Sequence, residues 1–178
     1  MKIIFDEIVL RPWSDDDASE LAVIANNKKI SDNLRDGFPF PYSLQDAKNW
    51  LKIVVPSNFP PQYFAITLND KLVGSIGLVS KNDIYRKNIE VGYFVAEDYW
   101  GRGIATKTIK AVTSYAFKDF DIIRVYAEPF SDNAGSRRAL EKAGFIHEAT
   151  FRSNVIKNGI IKDSSIYSVL KKDFKYFI

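Results

Sequence analysis

The 178-residue chain contains no cysteine and a single histidine, His147. Without thiols there is no disulfide frame, no thiolate nucleophile and no cysteine-ligated metal. One imidazole rules out a multi-histidine metal site and leaves a Ser-His-Asp triad only one candidate. His147 follows Gly144-Phe145-Ile146 at a strand start, where it reads as a surface or structural residue. No metal is expected. No apolar run approaches the roughly 20 residues of a membrane span. The start of the chain, Lys2 then Ile3-Ile4-Phe5 then Asp6-Glu7, lacks the pattern of a signal peptide, so a cytoplasmic location is expected. Charge of one sign is scarce too. A net +3 spread along the chain is too mild to argue for nucleic acid, although a weak anionic partner fits. Any catalysis must therefore rest on carboxylates, hydroxyls and backbone groups.

What is present reads as one globular domain, residues 1–178, with 46% hydrophobic and 26% charged residues. Residues 3–11 predict a first strand. Ser14, with Asp17 three residues on, starts a helix to about Asn26, and Ser43 starts another to about Val54. Residues 28–42 read as a loop carrying Gly37 and Phe38-Pro39-Phe40-Pro41-Tyr42. Strands follow at 62–68 and 72–79, joined by Asn69-Asp70-Lys71, and at 88–95. Ala105, Ile109, Val112 and Ala116 line one face of a helix reaching about Lys118. A strand at 122–127, a helix from Asn133 to Ala143 stopped by Gly144, and strands at 145–155 and 160–171 complete the chain. This order predicts an α+β fold with a mixed sheet and helices on its faces.

The most informative run is Tyr99-Trp100-Gly101-Arg102-Gly103-Ile104-Ala105-Thr106, which leads from a strand into a helix. The first N–H groups of a helix have no intrahelical partner, and the helix dipole places partial positive charge there, so an anion is favoured. Glycines let backbone approach a bulky pyrophosphate. The alternative is a tight connection whose glycines serve packing. A nicotinamide site would want Gly-x-Gly-x-x-Gly within a βαβ unit, but Thr106 stands at the third glycine position. No P-loop pattern occurs.

The chain resembles the GNAT N-acetyltransferases, and within them the branch that acetylates ribosomal-protein N-termini and related amines. Trp100-Gly101-Arg102-Gly103-Ile104-Ala105 matches the family's Gln/Arg-x-x-Gly-x-Gly/Ala signature except at Trp100. Asn133-Ala134-Gly135-Ser136-Arg137-Arg138-Ala139-Leu140-Glu141-Lys142-Ala143-Gly144-Phe145 is similar to a second block, and Glu90-Val91-Gly92-Tyr93 to a third. Leu10-Arg11-Pro12 and Pro41-Tyr42-Ser43 fit as well. The resemblance implies a twisted, mostly antiparallel sheet of six to seven strands, with the strands at 88–95 and 123–128 splayed apart.

It also implies acetyl transfer from acetyl-CoA to a primary amine, a protein N-terminus or a small molecule, by direct attack in a ternary complex. Backbone amides of Gly101, Arg102, Gly103, Ile104, Ala105 and Thr106 would hold the pyrophosphate. Phe94 and Val95 would pair with the pantetheine arm, and the Val95 N–H would stabilise the developing oxyanion. Asn133 reads as a helix cap, and by resemblance as a pantetheine contact. Ser136, one turn on, would approach the thioester sulfur or the cofactor. Many members place a tyrosine seven residues after the asparagine to protonate the leaving thiolate; here that residue is Leu140. Glu90 is the first candidate for general base, with a structural hydrogen bond across the sheet as its other reading, and Glu128 the second. The amine is expected on the side of residues 28–42 and 152–162, where Phe38, Phe40 and Tyr42 either wall a pocket or anchor the loop. A monomer or homodimer is expected, without nucleic-acid or membrane partners. A non-catalytic CoA-binding regulatory module is the competing reading.

Overall fold

The computed structural model describes residues 1–56 and 60–177. Eight strands form one sheet in the order β1-β2-β3-β4-β5-β6-β8-β7. They are β1 (Ile3–Phe5), β2 (Ile8–Arg11), β3 (Tyr63–Leu68), β4 (Lys71–Ser80), β5 (Asn88–Val95), β6 (Arg124–Ala127), β7 (Ile146–Lys157) and β8 (Ile160–Leu170). The helices are α1 (Ala18–Ala25), α2 (Lys28–Ser31), α3 (Leu44–Val54), α4 (Ile104–Asp119) and α5 (Ala134–Lys142). The residues divide into two compact units, Met1–Gly77 with Tyr93–Ile104, and Leu78–Gly92 with Ala105–Ile178.

In the first unit, β1, β2, β3 and β4 pair antiparallel in succession. The expected single strand over 3–11 is a hairpin, which raises the strand count from six or seven to eight. Phe5 pairs with Ile8, and Asp6 turns the chain at φ +51°. Aspartate tolerates that left-handed conformation, so no glycine announces the turn. The capping box at Ser14 forms as its spacing predicts, with the Ser14 N–H donating to Asp17 at 2.8 Å. The first turn is 3₁₀ and α1 proper begins at Ala18. Asp17 also takes two hydrogen bonds from the Arg11 guanidinium, at 2.6 and 2.8 Å, which lock β2 to the helix entry. A second capping box, Ser43 with Asp46, opens α3. Within the expected loop, Asn27 accepts from the Lys29 and Ile30 amides and starts the short α2.

Trp13, Leu21, Ala47 and Leu51 form the centre of this unit's core, and Phe38 and Phe94 pack against it. Phe38 lies 4.8 Å from the Tyr42 ring and 5.5 Å from Phe94. Phe38 and the buried Tyr42 therefore anchor the loop, while Phe40 stays 47% exposed. Burial, with Asp46 adding to it, pushes the Tyr42 phenol up to about 12. It stays neutral at physiological pH.

Gly74 of β4 permits a close approach. A Cβ there would meet the Phe94 carbonyl oxygen at 2.3 Å and the Val95 Cα at 3.1 Å. Both are backbone atoms and cannot swing aside. Gly74→Ala is expected to destabilise the protein by about 2 kcal/mol through overpacking. A urea midpoint equal to that of the parent protein would contradict this.

In the second unit, β5 and β6 run parallel, and β8 pairs antiparallel with both β6 and β7. The predicted face of α4 is buried at Ile109, Val112 and Ala116, though Ala105 is only partly covered. The burial extends further, to Ala111, Tyr115 and Phe117, because the C-terminal segment packs on the helix. The Phe174 ring lies 5.4 Å from Phe117 in a tilted arrangement, and the Phe177 N–H donates to Ser114 Oγ.

Candidate active site

The pairing of β5 with β6 covers Asn88↔Arg124, Ile89↔Val125 and Glu90↔Tyr126. β5 nevertheless continues to Val95, and β6 to Ala127, where it stays paired with β8. The two strands part company after Glu90, as the resemblance implied.

Glu90 does not face open solvent at that point. It is 9% exposed, and its Oε2 accepts from Lys81 Nζ at 2.7 Å and from the Tyr126 hydroxyl at 3.4 Å. Burial alone would lower the Lys81 ammonium, but its hydrogen bonds to Glu90 and Tyr126 outweigh that and hold it above the ordinary value. Burial pushes the Tyr126 phenol up. These bonds are the cross-sheet structural role that was the alternative reading for Glu90.

At the end of β5, the Val95 carbonyl accepts from the Trp100 indole N–H at 2.6 Å. This gives Trp100, the signature's odd residue, a function. It straps the turn to the strand that feeds it, through a short 3₁₀ segment at Glu97–Tyr99. The Phe94 carbonyl is the atom that crowds Gly74, so it faces β4. The neighbouring Ala96 amide also bonds into β4, at Val73.

Gly101 and Gly103 both adopt φ +76°. A Cβ built on either meets nothing within 4 Å. Packing therefore does not require these glycines; the backbone conformation does, and it leaves an exposed main-chain surface at the entrance to α4. The Arg102 guanidinium lies 5.1 Å over the Tyr99 ring beside it. Thr106, in the first turn of α4, has its hydroxyl 3.5 Å from the Ala139 carbonyl of α5.

Asn133 caps α5 as its position predicts, with Oδ1 accepting the Ser136 N–H at 3.1 Å. Its Nδ2 donors have no protein acceptor among the described residues. Ser136 is half-buried in the first turn of α5. Leu140 is 0% exposed, so the position where many members carry a tyrosine is sealed in the core.

Glu128, the second candidate base, directly follows β6 and is half-buried. Its Oε1 accepts from the Ser164 hydroxyl at 2.7 Å and from Asn154 Nδ2 at 3.1 Å. Its Oε2 has no partner among the described residues. His147, by contrast, is exposed, 3.1 Å from Thr150 Oγ1, with its ring centroid 5.1 Å from that of Tyr167 in a tilted arrangement.

The sequence model of the acetyltransferase (GNAT) domain matches residues 7–146. The chain belongs to the GNAT acetyltransferase family. The Bacillus subtilis N-acetyltransferase YoaA is 35% identical over 101 residues, a match covering 57% of this chain and 56% of YoaA. The chain thus spans about half the length of that relative. Bacillus subtilis YdaF is 27% identical over 179 residues, covering 96% of this chain and 94% of YdaF. Among solved structures, RimL, a ribosomal L7/L12 alpha-N-protein acetyltransferase in complex with coenzyme A, superposes with a TM-score of 0.86. That match covers 96% of this chain and 98% of RimL at 18% identity, and supports the GNAT fold.

Proposed function

We propose that the whole chain is one acetyltransferase domain that transfers an acetyl group from acetyl-CoA to a primary amine, either a peptide N-terminus or a small molecule. The observation that carries this reading is the turn at Gly101 and Gly103. Two exposed glycines in left-handed conformation, with no side-chain packing to justify them, present backbone N–H groups at the start of a 16-residue helix. That arrangement suits a diphosphate. In this reading the amides from Gly101 to Thr106 hold the pyrophosphate of acetyl-CoA, and Asn133 Nδ2 donates to the pantetheine arm. Phe94 and Val95 flank that arm, and the Val95 N–H hydrogen-bonds the thioester oxygen as charge develops on it. Such a donor is worth about 3 kcal/mol in comparable sites.

Glu128 is the better placed of the two carboxylates to act as the base. Glu90 already serves Lys81 and Tyr126. Glu128 keeps an oxygen with no partner among the described residues, able to take a proton from the acceptor ammonium directly or through a water. The amine nitrogen then forms its bond to the carbonyl carbon as the carbon–sulfur bond breaks, and the second proton it sheds passes to the departing sulfur, directly or through Ser136, or to water. With Leu140 buried, the thiolate leaves either with a proton from Ser136 or unassisted. The second route is tolerable because thiol pKa values lie near 8.5. Few acidic side chains line residues 28–42, which favours a peptide N-terminus or a mono-amine over a polyamine.

Incubation with acetyl-CoA and a panel of N-terminal peptides, polyamines and amino sugars, with free thiol followed, tests the activity. Thiol release that depends on an acceptor is the expected result. CoA binding without release on any acceptor would point instead to a regulatory module.

A further inference from the structure

The β7–β8 hairpin carries a distortion that regular pairing does not need. Phe151 pairs with Ser164 and Val155 with Lys162, so Arg152, Ser153 and Asn154 all stand opposite Asp163 alone. Ser153 sits at φ +50°, a conformation that costs a non-glycine residue stability and persists only when its surroundings impose it. The Asp163 carboxylate imposes it, accepting the Ser153 N–H at 2.8 Å. Bulges re-aim side chains. This one delivers the Asn154 amide to Ser164 Oγ at 2.7 Å and to Glu128 Oε1 at 3.1 Å.

The opposite side of this cluster is equally fixed. The chain leaving β6 is laced to the start of β8 by Ser165 N–H to the Pro129 carbonyl, by Ser131 N–H to the Asp163 carbonyl, and by a bridge between Phe130 and Ser164. Ser164 is 1% exposed, and its hydroxyl donates to Glu128 while accepting from Asn154. The charged neighbours are otherwise occupied. Lys162 pairs with Asp132 at 2.8 Å, and Asp163 holds the bulge. No cation among the described residues bonds to Glu128.

We infer that the bulged segment of β7, through Asn154 and together with Ser164, is a positioning device that pins one oxygen of Glu128 and aims the other at the acceptor amine. This rests on the reading of Glu128 as the base. Ser164, Asn154 and Asp163 are positioning residues, acting through Glu128.

A double-mutant cycle on the full chain tests it, with Ser164→Ala and Asn154→Ala each made in the parent protein and in Glu128→Gln. Asn154 is exposed, so its replacement leaves the core intact. Each single replacement is expected to lower kcat about tenfold, the loss expected when a charged group loses one hydrogen bond. The KM for acetyl-CoA should stay within about twofold. In the Glu128→Gln background the same changes should alter kcat by less than about twofold, because groups acting through one another are not additive. Equal losses in both backgrounds, or no loss in the parent protein, overturn the inference while leaving the base reading standing. Undiminished kcat in Glu128→Gln alone removes the base reading and the inference together.

Discussion

Replacing Glu128 with glutamine is expected to lower turnover of an α-amine acceptor about a hundredfold at pH 7, the lower end of what a general base contributes. Glutamine keeps the volume and can still accept from Ser164 and Asn154 through its own carbonyl oxygen. The fold and the KM for acetyl-CoA should therefore hold. What is lost is the ability to take a proton. An α-amine has a pKa near 8, so most of it is protonated at pH 7 and little at pH 9. The deficit of the variant should shrink as pH rises toward 9 with a peptide N-terminus. It should persist with a lysine-like amine of pKa near 10.4. Glu90→Gln should behave differently. It removes the partner of Lys81 from a poorly solvated site, so it should lower the thermal midpoint while the folded enzyme keeps its turnover. A catalytic loss in Glu90→Gln with none in Glu128→Gln would exchange the two roles.

The second large effect is expected at Gly103. Alanine there must either adopt φ near +76°, at a cost of about 1–2 kcal/mol, or pull the turn into another shape. Space is not the obstacle, since the added methyl meets no protein atom within 4 Å. The methyl instead projects into the surface assigned to the pyrophosphate. The KM for acetyl-CoA is expected to rise about tenfold or more, with kcat at saturation nearly unchanged and the thermal midpoint lowered by a few degrees through the backbone strain. A cofactor titration that leaves Gly103→Ala indistinguishable from the parent would remove the turn from the binding site, and with it the observation that carries the proposed function.

The fold was legible wherever a local rule acts alone. The Ser14 capping box, the Ser43 and Asn133 caps, and most of the α4 stripe formed where spacing put them. The β1–β2 hairpin was hidden because an aspartate, not a glycine, takes the left-handed turn, and α2 because four residues carry no readable period. The site was legible in part. The turn glycines and the strand preceding them are neighbours along the chain, so their geometry is local. The place of Glu90 in a strand favours it from sequence, yet its carboxylate is committed to Lys81, nine residues earlier, and to Tyr126, 36 residues later. The surroundings of Glu128 likewise come from Asn154 and Ser164, on two later strands.

The amino-acid order by itself determined the family, the glycine turn at the entrance to α4 and the absence of any thiol, since each depends on residue type and short-range backbone rules. Only the tertiary structure decided which carboxylate is tied down and which keeps an open oxygen. Whether a carboxylate can take a proton depends on the donors and cations that reach it, and here these arrive from strands distant in sequence.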